Sequence, residues 1–154
     1  MNKFMKVALE EAIIGMRKGD GGPFGAVIVK DGEILVKAHN EVISTNDPTM
    51  HAEINAIRKA TKLLGRFDLS DCEIYSSCEP CPMCFSAIHW AKMKSLYIGA
   101  TRYDAAEAGF DDQYIYDVLA DRAKHSQVHI ENVDHDECAQ PFQEWMIKED
   151  RTEY

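Results

Sequence analysis

The sequence predicts an α/β fold of three layers, with helices on both faces of a central five-stranded mixed sheet, built as one domain of 154 residues. Three observations carry that reading. Apolar residues recur at helical spacing near the start of the chain. Short apolar and β-branched runs then alternate with helical stretches to the end. The turn pair Asp31-Gly32 joins the first two runs into an antiparallel hairpin, whereas the later runs, each separated by a helix, read as mostly parallel.

Met5, Leu9, Ala12, Ile13 and Met16 form the stripe of a first helix, ended by Gly19 and Gly21-Gly22-Pro23. Ala26-Val27-Ile28-Val29 and Ile34-Leu35-Val36 are the hairpin strands. The polar stretch Ser44 to Thr49 leads into a second helix with Ala56, Ile57, Ala60, Leu63 and Leu64 on one side and Gly65 near its end. Ile74-Tyr75 is a short buried strand, a third helix runs from about Cys81 to Met93, and Leu96-Tyr97-Ile98 is the next strand. Tyr114 to Leu119 reads as helix, Val128-His129-Ile130 as the fifth strand and Pro141 to Ile147 as a closing helix.

Composition excludes several roles. The net charge is -9, with 26 acidic against 17 basic residues. Gripping a nucleic-acid backbone calls for a basic footprint, so no nucleic-acid partner is expected. No apolar run is long enough to cross a membrane, and none is expected to be bound. The first residues carry charges at helical spacing where a secretory signal would be apolar, so a cytoplasmic location is expected. Five cysteines, an odd number, argue against a disulfide framework. Cys78, Cys81 and Cys84 fall within seven residues, which points to metal or redox chemistry.

Two short segments hold the chemistry: His51-Ala52-Glu53, and Pro80-Cys81-Pro82-Met83-Cys84. Cys81 and Cys84, three apart at a helix start, share one face. Free N–H groups there favour thiolate, the metal-binding form, and Pro80 suits such a start. His51 opens another helix. One nitrogen and two sulfurs would hold a zinc ion and leave its fourth position to water, the pattern of catalytic sites. Glu53 points away from the ligand face yet stays near enough to move protons at that water. The order His-x-Glu then Pro-Cys-x-x-Cys is a known zinc deaminase signature. Cys78 could instead pair with Cys81, but its place at a strand end assigns it to packing. Cys72 and Cys138 lack paired spacing, His89 falls off the ligand face, and His129 and His135 sit in or after the last strand beside acidic residues, with no role assigned.

Beyond these motifs, the chain carries Gly22-Pro23-Phe24-Gly25-Ala26-Val27, Asn46-Asp47-Pro48-Thr49, Ser77 to Cys84, Asp104 to Asp112 and a final Glu153-Tyr154. With them it resembles the cytidine deaminase superfamily and, within it, the bacterial guanine deaminases, over nearly its whole length. That resemblance implies a cytidine deaminase-like fold, hydrolytic deamination of a free nucleobase, and one zinc ion per site held by His51, Cys81 and Cys84. Glu53 and Asp112 would be catalytic. Phe24, Asn40, Ala52, Asp112 and Tyr154 would bind substrate: Phe24 by stacking, Asn40 at the polar edge of the ring, and Asp112 (or its neighbour Asp111) at the amino group. Tyr154 would close the pocket through its side chain or the terminal carboxylate. It further implies a homodimer in which the C-terminal segment, about 134–154, exchanges between subunits.

Plainer roles stand beside these. Phe24 and Trp90 could be core, Asn40 a solvated strand end, Asp111-Asp112 a helix cap and Tyr154 a frayed end. Substrates other than guanine stay open as well: ammeline, cytosine, a nucleoside or, against the charge balance, adenosine in tRNA. A noncatalytic zinc or thiol module is the reading from another class.

Overall fold

Four consecutive apolar residues in the first strand demand burial on both faces, and the protein supplies it. In the computed structural model, which describes residues 1–110, 112–121 and 126–152, strand β1 (Gly25–Lys30) lies inside the sheet. Ala26 and Ile28 point to one side, Val27 and Val29 to the other. β1 pairs antiparallel with β2 (Glu33–His39) through a turn in which Asp31 and Gly32 both have positive φ (52° and 77°), the geometry that matches strand twist. On its other edge β1 pairs antiparallel with β3 (Cys72–Cys78), and β3 pairs parallel with β4 (Ser95–Ala100). The order is β2-β1-β3-β4.

The sheet thus has four strands among the described residues, not the expected five, and one of its three pairings is parallel. The alternation of strand and helix is nonetheless real. β2 and β3 run the same way and are joined by a helical crossover, but the hairpin strand β1 sits between them. Val128, His129 and Ile130 form no strand: Val128 is 73% and Ile130 69% exposed. An apolar-polar-apolar triplet is a weak strand signal without a partner edge and a face to bury.

Helix α1 (Lys3–Lys18) covers one face, and α3 (Ala52–Leu64) with α4 (Pro82–Trp90) covers the other. The buried side of α1 is Ala8, Glu11, Ala12 and Gly15, while Leu9 and Met16 of the predicted stripe lie on its exposed flank. Close approach explains the rotation: a Cβ on Gly25 of β1 would collide with the α1 backbone at Ala8 and Ala12, so small residues face the strand. Two short helices went unforeseen, α2 (Val42–Thr45) and α5 (Arg102–Glu107), the latter closed by a Thr101–Asp104 capping box. Then come α6 (Asp112–Ala120) and α7 (His135–Ile147), which begins well before Pro141 and keeps that residue inside. No helix among the described residues is long and apolar enough to cross a membrane.

Candidate active site

The crossover geometry brings two helix N-termini together. His51 is the N-cap of α3 and Cys81 the N-cap of α4, both in extended backbone, with Cys84 in the first turn of α4. Neither cap spends its side chain on the helix, so the imidazole and the thiol are available to a third party. Nδ1 of His51 lies 3.5 Å from Cys81 Sγ and 3.6 Å from Cys84 Sγ. All three donor atoms sit within 4.8 Å of one another.

Those spacings test the metal reading. Tetrahedral zinc with ordinary Zn–N and Zn–S bonds would separate a nitrogen and a sulfur ligand by about 3.6 Å. The residues present therefore fit such an ion. Charge fits too. A hydrogen bond from Cys84, and after it one from His51, bring the Cys81 thiol down to about 4 against the opposing effect of burial. Contact with that sulfur pushes Cys84 up, as does burial, and the hydrogen bond to Cys81 raises His51. A divalent cation would resolve this crowding by taking both sulfurs as thiolates.

The cluster opens onto a cavity of about 480 Å³. Glu53 is in its wall, 6% exposed, and outside the set of three donors. Ser76 Oγ donates to its Oε1 at 2.9 Å. Burial raises its carboxyl pKa, while hydrogen bonds from its own backbone and from Ser76 oppose the rise. Phe24, Asn40 and Asp112 line the same cavity, so three residues remote in sequence join Glu53 beside the metal cluster. Ala52, the first residue of α3, is fully buried in the core and is not part of the lining. Asp111 and Tyr154 lie outside the described residues. Trp90 is 63% exposed on α4 and lines no part of this cavity. Cys78 stays apart from the metal cluster, its thiol aimed at the Thr101 carbonyl and pushed up to about 11 by burial.

Residues 1–100 match the family described as the cytidine and deoxycytidylate deaminase zinc-binding region. The chain belongs to this deaminase family. It is 49% identical to guanine deaminase of Bacillus subtilis (strain 168), over 98% of this chain and 97% of that one. A solved structure of guanine deaminase from Bacillus subtilis superposes with a TM-score of 0.93, covering 100% and 99% of the two chains. The tRNA-specific adenosine deaminase of Aquifex aeolicus is 45% identical, but over only 63% of this chain and 64% of its own.

Sequence reasoning missed part of the deaminase cavity. Glu79, one residue before Pro80, and Phe110 both line it. Phe110 meets Phe24 edge-on, with ring centroids 4.9 Å apart at 84°. Glu79 receives the backbone N–H of Arg102 at 3.0 Å, which ties the metal loop to α5. Both stand in quoted motifs; the available signal was an aromatic or acidic residue flanking an assigned one. Val42 and Ile43, on the unforeseen α2, carried no signal at all.

Proposed function

We propose that this protein is a zinc-dependent guanine deaminase, converting guanine and water to xanthine and ammonia. The observation that carries the deaminase chemistry is Glu53, a buried carboxylate left out of the donor set but facing the cavity that set opens on. The choice of guanine rests on similarity to the Bacillus subtilis enzyme along nearly the whole chain, where the tRNA deaminase of Aquifex aeolicus is matched over a smaller part.

His51, Cys81 and Cys84 would hold the zinc. Bound there, zinc supplies the Lewis acidity that brings the pKa of water down to about 7. Glu53 takes the proton from the attacking water and passes it to the departing exocyclic nitrogen, and its burial favours the protonated form that carries it. The C–N bond to the exocyclic nitrogen breaks, a C–O bond forms at the same ring carbon, and ammonia leaves. Phe24 stacks on the purine, its ring steadied from the edge by Phe110. Asn40 accepts Val42 N–H through Oδ1 at 3.1 Å, so its amide nitrogen donates to an acceptor on the base. Asp112, at the start of α6, meets the amino group.

Exchange of the C-terminal segment within a homodimer belongs to the same proposal. Its support is α7, which turns Phe142, Met146 and Ile147 to solvent (72%, 64% and 80% exposed) and so has an apolar face looking for a cover. Tyr154, at the end of that segment, closes the partner's site. The test is ammonia release from guanine, ammeline, cytosine, adenosine and cytidine by the zinc-loaded protein. Turnover of guanine well above the others is expected. An inert guanine beside an active nucleoside overturns the substrate assignment.

A further inference from the structure

His39, the last residue of β2, has a carboxylate at each ring nitrogen. Nδ1 lies 3.0 Å from Glu11 Oε2 and Nε2 3.0 Å from Asp20 Oδ2. Glu11, buried on α1, is held from its other oxygen by Lys37 Nζ at 2.9 Å. The ring fits beside α1 only because of Gly15, where a Cβ would stand 2.5 Å from His39 Cδ2. Asp20 is thereby fastened to the sheet.

Much of the cavity hangs from Asp20. Its carbonyl accepts the N–H groups of Ile43 and Ser44, each at 3.0 Å, which fixes the start of α2. The chain continues from it through Gly21 and Gly22 to Phe24, whose carbonyl takes the N–H of Asn40 at 3.0 Å. Gly21 lies so close to the Asn40 amide that no side chain fits between them. One wall of the cavity, made by Gly21, Gly22, Phe24, Asn40, Val42 and Ile43, is thus anchored where one imidazole bridges two carboxylates.

We propose that His39 is a positioning residue for substrate binding: bridging Glu11 and Asp20, it holds the wall formed by residues 20–24 and 40–43 at the spacing that admits a flat bicyclic base. The proposal rests on the guanine reading of the cavity above. This wall grips the ring, whereas other lining residues, His51, Cys81 and Glu53, carry the chemistry, so loosening it weakens binding and spares the chemical step. Placement errors of an ångström cost heavily when a ring must be stacked and hydrogen-bonded at once.

Two variants of the zinc-loaded, full-length enzyme test this. Asp20→Ala cuts the bridge from the loop side, in a position that is not part of the core. His39→Phe keeps a ring beside Gly15 and removes both hydrogen bonds. In each, KM for guanine should rise roughly tenfold while kcat changes by less than about twofold, with zinc content unchanged. Since part of the effect passes through Asn40, Asp20→Ala should raise KM less in an Asn40→Ala background than alone. Unchanged KM in Asp20→Ala, an equal loss in kcat, or full multiplication of the two effects on KM would overturn the proposal. Failure of the underlying substrate reading looks different: the unsubstituted enzyme then releases no ammonia from guanine. In that case the same KM comparison is made with whichever base of the panel turns over.

Discussion

Residues 1–100 and the described residues beyond them differ in how their apolar side chains are covered. In the first region Ile28, Leu69 and Ile74 are fully buried, and both faces of the sheet have their own cluster. In the second, Ala105 is the one buried apolar residue, and α7 has no buried residue. The metal donors and Glu53 belong wholly to the first region; Phe110 and Asp112 reach the cavity from the second. The chemistry therefore sits on a framework that is complete within one chain. The described residues beyond 100 add Phe110 and Asp112 to the cavity, while α7 in the same region leaves its apolar side chains exposed.

The strongest way to sharpen this contrast is to remove the proposed proton carrier from the framework. Glu53→Gln should retain zinc and fold yet lose about 10³-fold or more in kcat, measured by ammonia release beside metal analysis. Substantial residual turnover would sink the role given to that carboxylate. Next in size, Ile74→Ala in the core should cost about 2–5 kcal/mol in denaturant unfolding, because the site closes only partly around the missing atoms. By contrast, Phe142→Ala should lower the melting temperature by an amount that depends on protein concentration and vanishes on dilution. A shift independent of concentration would place α7 within its own protomer's core and break the comparison.

Deleting residues 134–154 should leave a folded, zinc-binding chain in circular dichroism and metal analysis while KM for guanine rises at least severalfold. Loss of zinc on truncation would show that the two regions are not separable. The smallest expected effect is electrostatic. Arg66 beside Asp71 holds that carboxyl at about 2, below its ordinary 3.8. Because the folded value is the lower one, the pairing contributes stability above about pH 4, and this is lost as pH falls toward 2. Both side chains are exposed, so Asp71→Asn should flatten the acid limb of a melting-temperature profile by a degree or so.

How far the chain could be read differs between the same two regions. His51, Cys81 and Cys84 were legible because metal ligation constrains residue type and spacing at once, and each stands at a helix start that its own neighbours announce. Asp31-Gly32 was legible because a two-residue hairpin turn needs two positive φ angles. The stripe of α1 misled, since periodicity finds a helix but does not say which flank a close-packed sheet will choose. The fifth strand misled for a related reason: three alternating residues have no meaning until a partner edge exists.

The sequence by itself determined the three clustered donor residues, the carboxylate beside them, the hairpin and the helices that hold them. These depend on local backbone preferences and on ligand chemistry that few residue types can satisfy. Only the tertiary structure decided the number and pairing of the strands, the part Phe110, Glu79 and α2 play in the cavity, and the bridge from Glu11 through His39 to Asp20. Such features arise from contacts between segments tens of residues apart, and nothing in the neighbourhood of any one of them encodes the distance to the other.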